Sequence, residues 1–380
     1  MAKDFYGELQ LGILGGGQLG RMLIQEAINF NVNISVLDPD KNAPCRNLCN
    51  HFQCGPLDDF DSVYAFGKDL DMVTIEIEKV NVDALEKLEE EGVAVYPQSR
   101  VIRLIQDKGL QKQFFKQNNI PTAPFQLISS RENLLNPAIS FPCIQKLRRD
   151  GYDGKGVKKL LSEADVETAF EAPSLVEQWI DFDRELAVIV SRNEDGQVAT
   201  FPCVEMEFNP EANLVEFLIS PSTLAFEIQQ RAEALAKKIA EDLQIVGLLA
   251  VELFLTKEGQ LLVNELAPRP HNSGHQSIEG NFTSQFAQHL RALFNLAPGN
   301  TAARCHAIMV NLLGEAGHEG LARYKGVEEI LALDGVYVHL YGKKYTKPFR
   351  KMGHVCIVNE DRELAIETAR KVQQTIKVIT

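Results

Sequence analysis

Residues 249–266 read LAVELFLTKEGQLLVNEL, and this stretch decides how the rest of the chain is interpreted. The first eight and last six letters are strand-like apolar runs, and the four letters between them form a turn with glycine, which predicts a β-hairpin. If Thr256 pairs with Leu261, Glu252 lies directly opposite Glu265, with their Cβ atoms about 5 Å apart on one face. Such close carboxylates repel unless a cation lies between them, and they suit magnesium with waters and phosphates as further ligands. The alternative is a solvated face with two unrelated glutamates.

The bulk composition indicates an ordinary globular protein. Its 380 residues carry a formal charge of −13, with 45% hydrophobic side chains, and this length suggests about two or three domains. An acidic chain lacks the basic footprint of a protein that coats nucleic acid. No apolar run approaches the roughly 18 residues that cross a membrane, and the N-terminus has no secretory pattern. We therefore expect a cytoplasmic protein with no nucleic-acid or membrane partner.

The cysteines support the same compartment. There are seven, an odd and scattered number, which fits a reducing cytoplasm better than a disulfide framework. Cys45, Cys49, His51 and Cys54 cluster and could form a zinc site. Their spacing matches no common pattern of paired ligands, so packing of small thiols is the favoured interpretation.

A glycine-rich turn opens the first domain. Strands at 10–14 and 33–38 flank Gly15, Gly17, Gly20 and a helical pattern, which predicts a βαβ unit with a parallel sheet that closes near residue 100. Asp38 stands where a ribose-binding acid would follow a dinucleotide-binding turn. A tight strand-to-helix turn needs glycine whatever it binds, so a dinucleotide and another small anionic or polar ligand both stay open.

Further elements are read from periodicity and from proline and glycine punctuation. Helices are predicted at 82–91, 99–118, 163–171, 225–243, 283–295 and 361–373, and strands at 71–76, 93–96, 142–148, 156–161, 174–180 and 184–191.

A basic, glycine-rich loop at 151–156 joins two of these strands. Its backbone N–H groups can wrap phosphate oxygens, and Lys146 on the preceding strand can meet phosphates as a point charge. Asp153 is expected to face a polar hydrogen of the ligand. A hairpin tip with surface charge is the alternative.

Residues 174–180 end an apolar strand at a suspected domain junction, where backbone groups can read the edge of a base. Packing explains the presence of Trp179 as well as contact with a base does. Glu185 on the following strand could bind ribose hydroxyls or be an exposed strand acid.

Two charged segments complete the candidate site. Residues 266–275, LAPRPHNSGH, bring Arg269, His271 and His275 next to the predicted metal site. A guanidinium suits a small planar oxyanion, and histidine can donate a second hydrogen bond or move a proton. Residues 341–351, YGKKYTKPFRK, gather five cations, which predicts either a phosphate-binding loop or a solvated charge run.

With these stretches in view, the chain resembles the ATP-grasp ligases, and within them the N5-carboxyaminoimidazole ribonucleotide synthases, from end to end. The resemblance is carried by LGILGGGQLGRM at 11–22, TIEIE at 74–78, QDK at 106–108, GYDGKG at 151–156, NELAPRPHNSGH at 264–275, YGK at 341–343 and RKMGH at 350–354. It implies an α/β and α+β fold with three domains. These are a Rossmann-like domain with a parallel sheet at 1–100, a small lid domain with a linker helix at 101–190, and a domain with the metal hairpin and the phosphate-binding segment at 191–380.

The resemblance also implies roles for individual residues. ATP would be bound by Lys108 and Lys146 at the phosphates, Glu177 and Ile180 at adenine, Glu185 at ribose, and by Gly151, Gly154, Gln178 and Asn264. Glu252 and Glu265 would bind one or two magnesium ions. Aminoimidazole ribonucleotide would contact Gly17, Gln18, Leu19, Glu76, Tyr152, Asp153 and Lys155, and its 5′-phosphate would contact Lys343, Arg350 and Lys351. The catalytic residues would be Asp153, Arg269 and His271.

The implied reaction is ATP-dependent carboxylation of 5-aminoimidazole ribonucleotide in purine biosynthesis. Bicarbonate would attack ATP to form carboxyphosphate, and the ribonucleotide amine would capture the carbon dioxide released from it. ATP and magnesium are expected, NAD and biotin are not, and the family implies a homodimer. Ala267 stands where many ATP-grasp enzymes have asparagine, so metal geometry there would depend more on water.

Three other functions are weighed. A formate-dependent ATP-grasp phosphoribosylglycinamide formyltransferase is the near alternative. A nicotinamide-dependent dehydrogenase leaves the acidic hairpin unexplained. A catalytically silent nucleotide sensor predicts ATP binding without turnover.

Overall fold

The computed structural model describes residues 6–149, 151, 156–209 and 214–380. These residues form three main β-sheets, one parallel and two antiparallel, with helices packed on them. The predicted combination of α/β and α+β structure is confirmed.

The first sheet has five parallel strands: β1 (Gln10–Leu14), β2 (Asn33–Asp38), β3 (His51–Cys54), β4 (Met72–Ile75) and β5 (Ala94–Val95). Its helices are α1 (Gln18–Ala27), α2 (Phe60–Gly67) and α3 (Val82–Glu90). The order in space is β3-β2-β1-β4-β5. Strand order therefore reverses between β1 and β4, whose carboxyl ends border the place where parallel sheets bind ligands.

The helix predicted over 99–118 is two helices, α4 (Ser99–Gln106) and α5 (Lys108–Gln117). Asp107 separates them because its extended backbone leaves the first helix and its carboxylate accepts the N–H groups of Gly109 and Leu110 at the start of the second. The Arg148 guanidinium also pairs with Asp107 through two hydrogen bonds of 2.9 and 2.7 Å. The break places Lys108 at the N-terminus of α5, where its ammonium contacts Glu265 of the hairpin described below.

The second sheet has four antiparallel strands: β6 (Phe125–Ile128), β7 (Cys143–Leu147), β8 (Val157–Leu160) and β9 (Ser174–Gln178), in the order β6-β9-β7-β8. The predicted helix at 163–171 is a 3₁₀ helix, Glu163–Thr168. Ser162 and Asp165 form a reciprocal capping box there, which stabilises a tight turn without a longer helix.

The third sheet has nine antiparallel strands, and two separate pairs of short strands lie outside it, which makes thirteen strands in this part of the chain. In chain order these strands are β10 (Phe182–Arg192), β11 (Val198–Thr200), β12 (Val204–Asn209), β13 (Leu214–Ser220), β14 (Gly247–Thr256), β15 (Leu261–Ala267), β16 (His306–Leu313), β17 (Gly320–Leu321), β18 (Arg323–Lys325), β19 (Val336–Leu340), β20 (Tyr345–Thr346), β21 (Lys351–Asn359) and β22 (Lys377–Ile379). The pairs outside the large sheet are β17 with β20 and β18 with β22. The expected domain boundary at 190 falls inside β10, which pairs with β14 along its length, so a boundary near 180 fits the sheets better.

The remaining helices are α6 (Phe226–Leu243), α7 (Ser277–Gly280), α8 (Gln285–Leu293), α9 (Val327–Leu331) and α10 (Arg362–Thr375). The predicted helices at 225–243, 283–295 and 361–373 are therefore confirmed, whereas α2, α7 and α9 were not predicted. Helix α8 joins the large sheet to the first domain, because Phe286 and Leu290 are buried in the same core as Leu19 and Leu23 of α1. Each such side chain contributes about 1.5–3 kcal/mol of burial free energy. Among the residues described here, none of the helices has the length and apolarity needed to cross a membrane.

Candidate active site

The hairpin of β14 and β15 places Glu252 opposite Glu265, as predicted. The predicted pairing of Thr256 with Leu261 is wrong, because Leu261 pairs with Leu255. The register then shifts by one residue, since Leu253 pairs with Val263 and Glu252 with Glu265, so Asn264 is the extra residue of a β-bulge. This bulge restores the acidic pair that the one-residue error at the turn would otherwise have separated.

A third acid faces the same site. Glu185 lies on β10, where Ala187 pairs with Glu252, so Glu185 is on the same face two residues away. Burial, followed by the charges of Glu265 and Glu185, raises the pKa of Glu252 to about 8. Burial also raises the pKa of Glu185 to about 7, against the opposing charge of Lys146. Three carboxylates therefore lie close together, and ionisation is disfavoured for Glu252 and Glu185.

Two predicted phosphate-binding lysines reach this acidic group. Lys108, the first residue of α5, contacts the Glu265 carboxylate, and its charge lowers the pKa of that carboxyl to about 2. Lys146 on β7 donates to the side-chain oxygen of Asn264 at 2.9 Å. The bulge residue thus links the small sheet to the metal hairpin.

No group of three or more His, Cys, Asp or Glu side chains is placed to hold a metal ion within the described ranges.

The residues that are predicted to bind adenine lie at the end of β9. Glu177 is buried, Gln178 and Trp179 are exposed, and Ile180 is half-buried. The Lys159 ammonium lies 3.5 Å from the Trp179 ring centroid, a cation–π contact that accounts for the tryptophan without a ligand. The backbone N–H groups of Gln178 and Trp179 bond to Pro124 and Pro142 carbonyls.

Sequence reasoning missed Lys112, a buried neighbour of this segment. Its ammonium lies 2.5 Å from one Glu177 oxygen, and Lys146 lies 2.6 Å from the other. Burial disfavours the Glu177 carboxylate, but the two ammonium groups outweigh it and bring its pKa to about 2. Lys112 follows Lys108 by four residues and so shares its helix face, which was the one available signal.

Arg269 and His271 follow β15 and reach acids on other elements. The Arg269 guanidinium lies 2.9 Å from a Glu78 carboxylate oxygen of the first domain. His271 Nε2 lies 3.4 Å from Glu252, and its Nδ1 lies 2.9 Å from the Ser273 hydroxyl. The predicted oxyanion pocket therefore borders both the metal hairpin and the first domain. Glu78 is a second residue that sequence reasoning missed, although it lies two residues after Glu76 in the TIEIE stretch at 74–78.

The glycine turn of the first domain is built around Glu76. The two oxygens of its half-buried carboxylate accept the N–H groups of Gly17 at 2.8 Å and Gly20 at 2.9 Å. A Cβ atom at Gly15 or Gly17 would lie 2.5 or 2.6 Å from Glu76 atoms, so the glycines make room for this acid. A protein carboxylate thus takes the helix N-terminus that would hold a pyrophosphate.

Asp38 is also engaged internally. It accepts the N–H groups of Gly16 at 2.6 Å and Asp40 at 2.7 Å. Together with Glu76, this arrangement argues against the dinucleotide interpretation of the turn. Gln18 is the first residue of α1, and the Leu19 side chain is 8% exposed and packs in the core, so Leu19 can offer a ligand only its backbone.

The zinc interpretation concerned cysteines next to this turn. Cys45 is buried under the turn and Cys54 is exposed. Burial raises the pKa of the Cys45 thiol, which favours the protonated form and packing.

The ends of the basic loop at 151–156 approach each other. A Cβ atom at Gly156, which has a φ of +74°, would lie 3.1 Å from the Gly151 Cα, so glycine is required there. The predicted contacts of Tyr152, Asp153, Gly154 and Lys155 lie outside the described residues.

The C-terminal cations Lys343 and Arg350 make contacts within their own segment. Lys343 donates to the Lys351 carbonyl at 2.7 Å and lies 5.6 Å from the ring centroid of buried Tyr341. Arg350 donates to the Tyr345 carbonyl at 2.7 Å. The charge of Lys351 acts on Glu252, which places the β21 end of this segment near the metal hairpin.

Comparison with known protein families gives matches along most of the chain. Residues 9–106 match the ribonucleotide synthetase preATP-grasp domain, 113–286 the ATP-grasp domain, and 307–368 the phosphoribosylaminoimidazole carboxylase C-terminal domain. These matches confirm the predicted ATP-grasp architecture with an N-terminal parallel-sheet domain.

Comparison with individual relatives supports the same family assignment. An N5-carboxyaminoimidazole ribonucleotide synthase of Bacillus subtilis is 36% identical over 93% of this chain and 92% of its own length. A chloroplastic phosphoribosylaminoimidazole carboxylase of Vigna aconitifolia is 38% identical over 92% of this chain, which spans 64% of that relative.

Solved structures extend the likeness to three dimensions. The N5-carboxyaminoimidazole ribonucleotide synthetase of Thermotoga maritima has a TM-score of 0.91 at 39% identity, covering 98% of this chain and 99% of that one. The Aspergillus clavatus synthase in complex with ADP and 5-aminoimidazole ribonucleotide has a TM-score of 0.88 at 31% identity, covering 97% and 100%. The chain therefore belongs to the N5-carboxyaminoimidazole ribonucleotide synthase family of ATP-grasp ligases.

Proposed function

We propose that this ligase carboxylates 5-aminoimidazole ribonucleotide with ATP and bicarbonate in purine biosynthesis, giving N5-carboxyaminoimidazole ribonucleotide, ADP and phosphate. One observation carries the proposal. The acids Glu252 and Glu265 face each other, and they contact the oxyanion-binding candidate His271 and the phosphate-binding candidate Lys108, respectively. The names of the relatives and the ligands of the Aspergillus clavatus complex support this choice of substrates.

The acidic hairpin fits magnesium. Glu252 is half-buried beside two other acids, and its raised pKa is the behaviour of a carboxylate with too little positive charge nearby. Magnesium takes one or two protein carboxylates and keeps waters and phosphate oxygens as its other ligands, so two facing acids suffice. Glu252 and Glu265 would hold it. When bound, it would neutralise the charge that builds up on the transferred phosphoryl group.

The ATP phosphates would lie between Lys108 and Lys146, which approach the hairpin from two different elements. The backbone of Glu177 and Ile180 would face adenine, and Glu185 would accept ribose hydroxyls. Gly151, Gly154 and Gln178 would complete the ATP contacts. Positioning of this kind supplies most of the acceleration in phosphoryl transfer.

Arg269 and His271 would hold bicarbonate next to the γ-phosphate. One bicarbonate oxygen attacks the γ-phosphorus, the bond to the bridging oxygen of ADP breaks, and carboxyphosphate forms. The Arg269 guanidinium is paired with Glu78, so the incoming anion competes with that carboxylate for the same donors. The free energy needed to break the contact between Arg269 and Glu78 therefore lowers the affinity for bicarbonate.

The second half-reaction would occur on the side of the first domain. Carboxyphosphate splits into carbon dioxide and phosphate, the exocyclic amine attacks the carbon, and the amine proton passes to Asp153 or to the released phosphate. Gly17, Gln18, Leu19, Glu76, Tyr152 and Lys155 would surround the ribonucleotide, while Lys343, Arg350 and Lys351 would hold its 5′-phosphate. Glu76 keeps lone pairs for this role, because each of its oxygens accepts one N–H in the structure.

Phosphate release with ATP, bicarbonate and aminoimidazole ribonucleotide tests the proposal. We expect full release with all three substrates and a large loss when any one is omitted. Formate with glycinamide ribonucleotide serves as the control pair, and release that is faster with this pair would assign the chain to the formate-dependent alternative. ATP binding without release under either pair would indicate a silent nucleotide sensor.

We also propose a cytoplasmic homodimer with domain boundaries near 100 and 180. All seven cysteines are free, which supports a reducing compartment. Light scattering coupled to size-exclusion chromatography measures the oligomeric state, and a monomer at micromolar concentration would contradict the dimer.

A further inference from the structure

The mechanism above leaves the buried ammonium of Lys112 unused. Its side chain is 2% exposed. It contacts the Glu177 carboxylate at 2.5 Å, the Thr122 hydroxyl, and the Val263 carbonyl at 3.4 Å. A lysine is rarely buried to this degree unless an acid compensates it. Glu177 supplies that compensation.

The carboxylate of Glu177 is shared. Lys146, a proposed phosphate-binding residue, lies 2.6 Å from its second oxygen and is 12% exposed, whereas Glu177 is 5% exposed. These three side chains contain two positive charges and one negative charge. The trio therefore has a net charge of +1, and Lys146 is its more exposed cation.

Lys112 decides this charge balance. If its charge were absent, Glu177 would be neutralised by Lys146 alone, and the pair would present no net charge to a phosphate. The contact would also be expensive to break, because a buried carboxylate without its partner is strongly disfavoured. Lys146 would then remain bound to Glu177 in competition with the nucleotide.

Lys112 also spans the two sheets that would hold the nucleotide. Glu177 belongs to β9 of the four-stranded sheet, whereas Val263 belongs to β15 of the metal hairpin. Thr122 forms an isolated parallel bridge with Val263, so the Lys112 contacts join both sheets at one point.

We propose that Lys112 is a positioning residue for the nucleotide: it neutralises Glu177 and thereby leaves the charge of Lys146 available to the ATP phosphates. The inference rests on the proposed function for the identity of the nucleotide and for the contact of Lys146 with its phosphates. It assigns a role to a residue that need not touch the ligand.

The test compares ADP with adenosine, which lacks phosphates. In Lys112→Gln, which keeps a polar N–H donor at this position but has no charge, ADP affinity should fall by about 10-fold or more in calorimetric titration. Adenosine affinity, measured by competition, should change by less than about twofold, because the effect acts through Lys146 on phosphates. Lys116→Met, an exposed lysine of the same helix, is the matched control and should bind both ligands as the parent does.

A second variant separates charge balance from folding. Lys112→Met combined with Glu177→Gln removes both buried charges and restores the net charge of +1, so ADP affinity should return to within about threefold of the parent. Unchanged ADP affinity in folded Lys112→Gln, or an equal loss for ADP and adenosine, would overturn the proposal. If Lys112→Gln does not fold, a persistent 10-fold loss in the double variant overturns it. The ADP and adenosine affinities can be measured even if the chain does not carboxylate its substrate. A failure of the proposed reaction is therefore distinguishable from a failure of the positioning role of Lys112.

Discussion

Replacement of Glu252 by glutamine tests the acidic hairpin most directly. Burial and the neighbouring acids Glu265 and Glu185 raise the pKa of Glu252 in the folded protein from 4.5 to about 8. The folded chain therefore binds this proton more tightly than the unfolded chain does. The stability associated with the proton is fully present below pH 4.5 and is lost as the pH rises towards 8.

The magnitude follows from the interval between the unfolded pKa of 4.5 and the assay pH of 7. Each pH unit corresponds to about 1.4 kcal/mol, so at pH 7 the unfolding free energy of the protein is about 3 kcal/mol lower than it would be with a neutral group at this position. Glutamine has the same shape and stays neutral. In metal-free buffer Glu252→Gln should therefore raise the unfolding free energy by up to about 3 kcal/mol at pH 7, and by less than about 1 kcal/mol at pH 5. The same change removes a proposed magnesium ligand, so turnover should fall by about 100-fold or more.

The assay is denaturant unfolding with EDTA at both pH values, together with phosphate release from magnesium-ATP. Glu258→Gln is the matched control, because Glu258 is exposed in the turn of the same hairpin and should change neither quantity. A Glu252→Gln protein that is less stable than the parent at pH 7, or that keeps the parental turnover, would refute the reasoning.

Three further substitutions probe the rest of the site. Arg269→Ala should lower bicarbonate-dependent phosphate release by about 100-fold, because the two-point contact to a planar anion is lost. An unchanged rate would remove Arg269 from the bicarbonate site. Glu76→Ala leaves the N–H groups of Gly17 and Gly20 without their acceptor and should cost about 1–3 kcal/mol in urea unfolding. An unaltered midpoint would show that water replaces the carboxylate. Asp107→Ala removes a helix cap and should cost about 1–2 kcal/mol in the same assay, whereas a parental unfolding curve would contradict the capping role.

The metal hairpin shows how far sequence periodicity reaches. Alternation along 249–266 predicts two strands and puts Glu252 and Glu265 on one face. The predicted pairing of Thr256 with Leu261 is wrong by one residue, and the bulge at Asn264 compensates for the error. A period of two cannot reveal an inserted residue, because the bulge depends on what packs against the strand. The acidic pair is therefore correct for a reason that only the hydrogen-bond register supplies.

The charged clusters show a second limit. The lysines at 108 and 112 share a helix face, which periodicity reveals. Their partners Glu265 and Glu177 lie far away in sequence, and no local pattern indicates which acid each lysine meets. The same is true of Arg269 and its contact with Glu78.

The sequence by itself predicted many of the strands, most of the longer helices, the family and a set of candidate charged side chains for the site. These features follow from residue type and local spacing, which act over a few neighbouring residues. The tertiary structure alone decided which acid neutralises which cation, that Glu76 holds the glycine turn, and that Glu177 is shared by two lysines. Charge pairing depends on distance and burial in space, and both are set by the packing of sheets whose residues are remote in the chain.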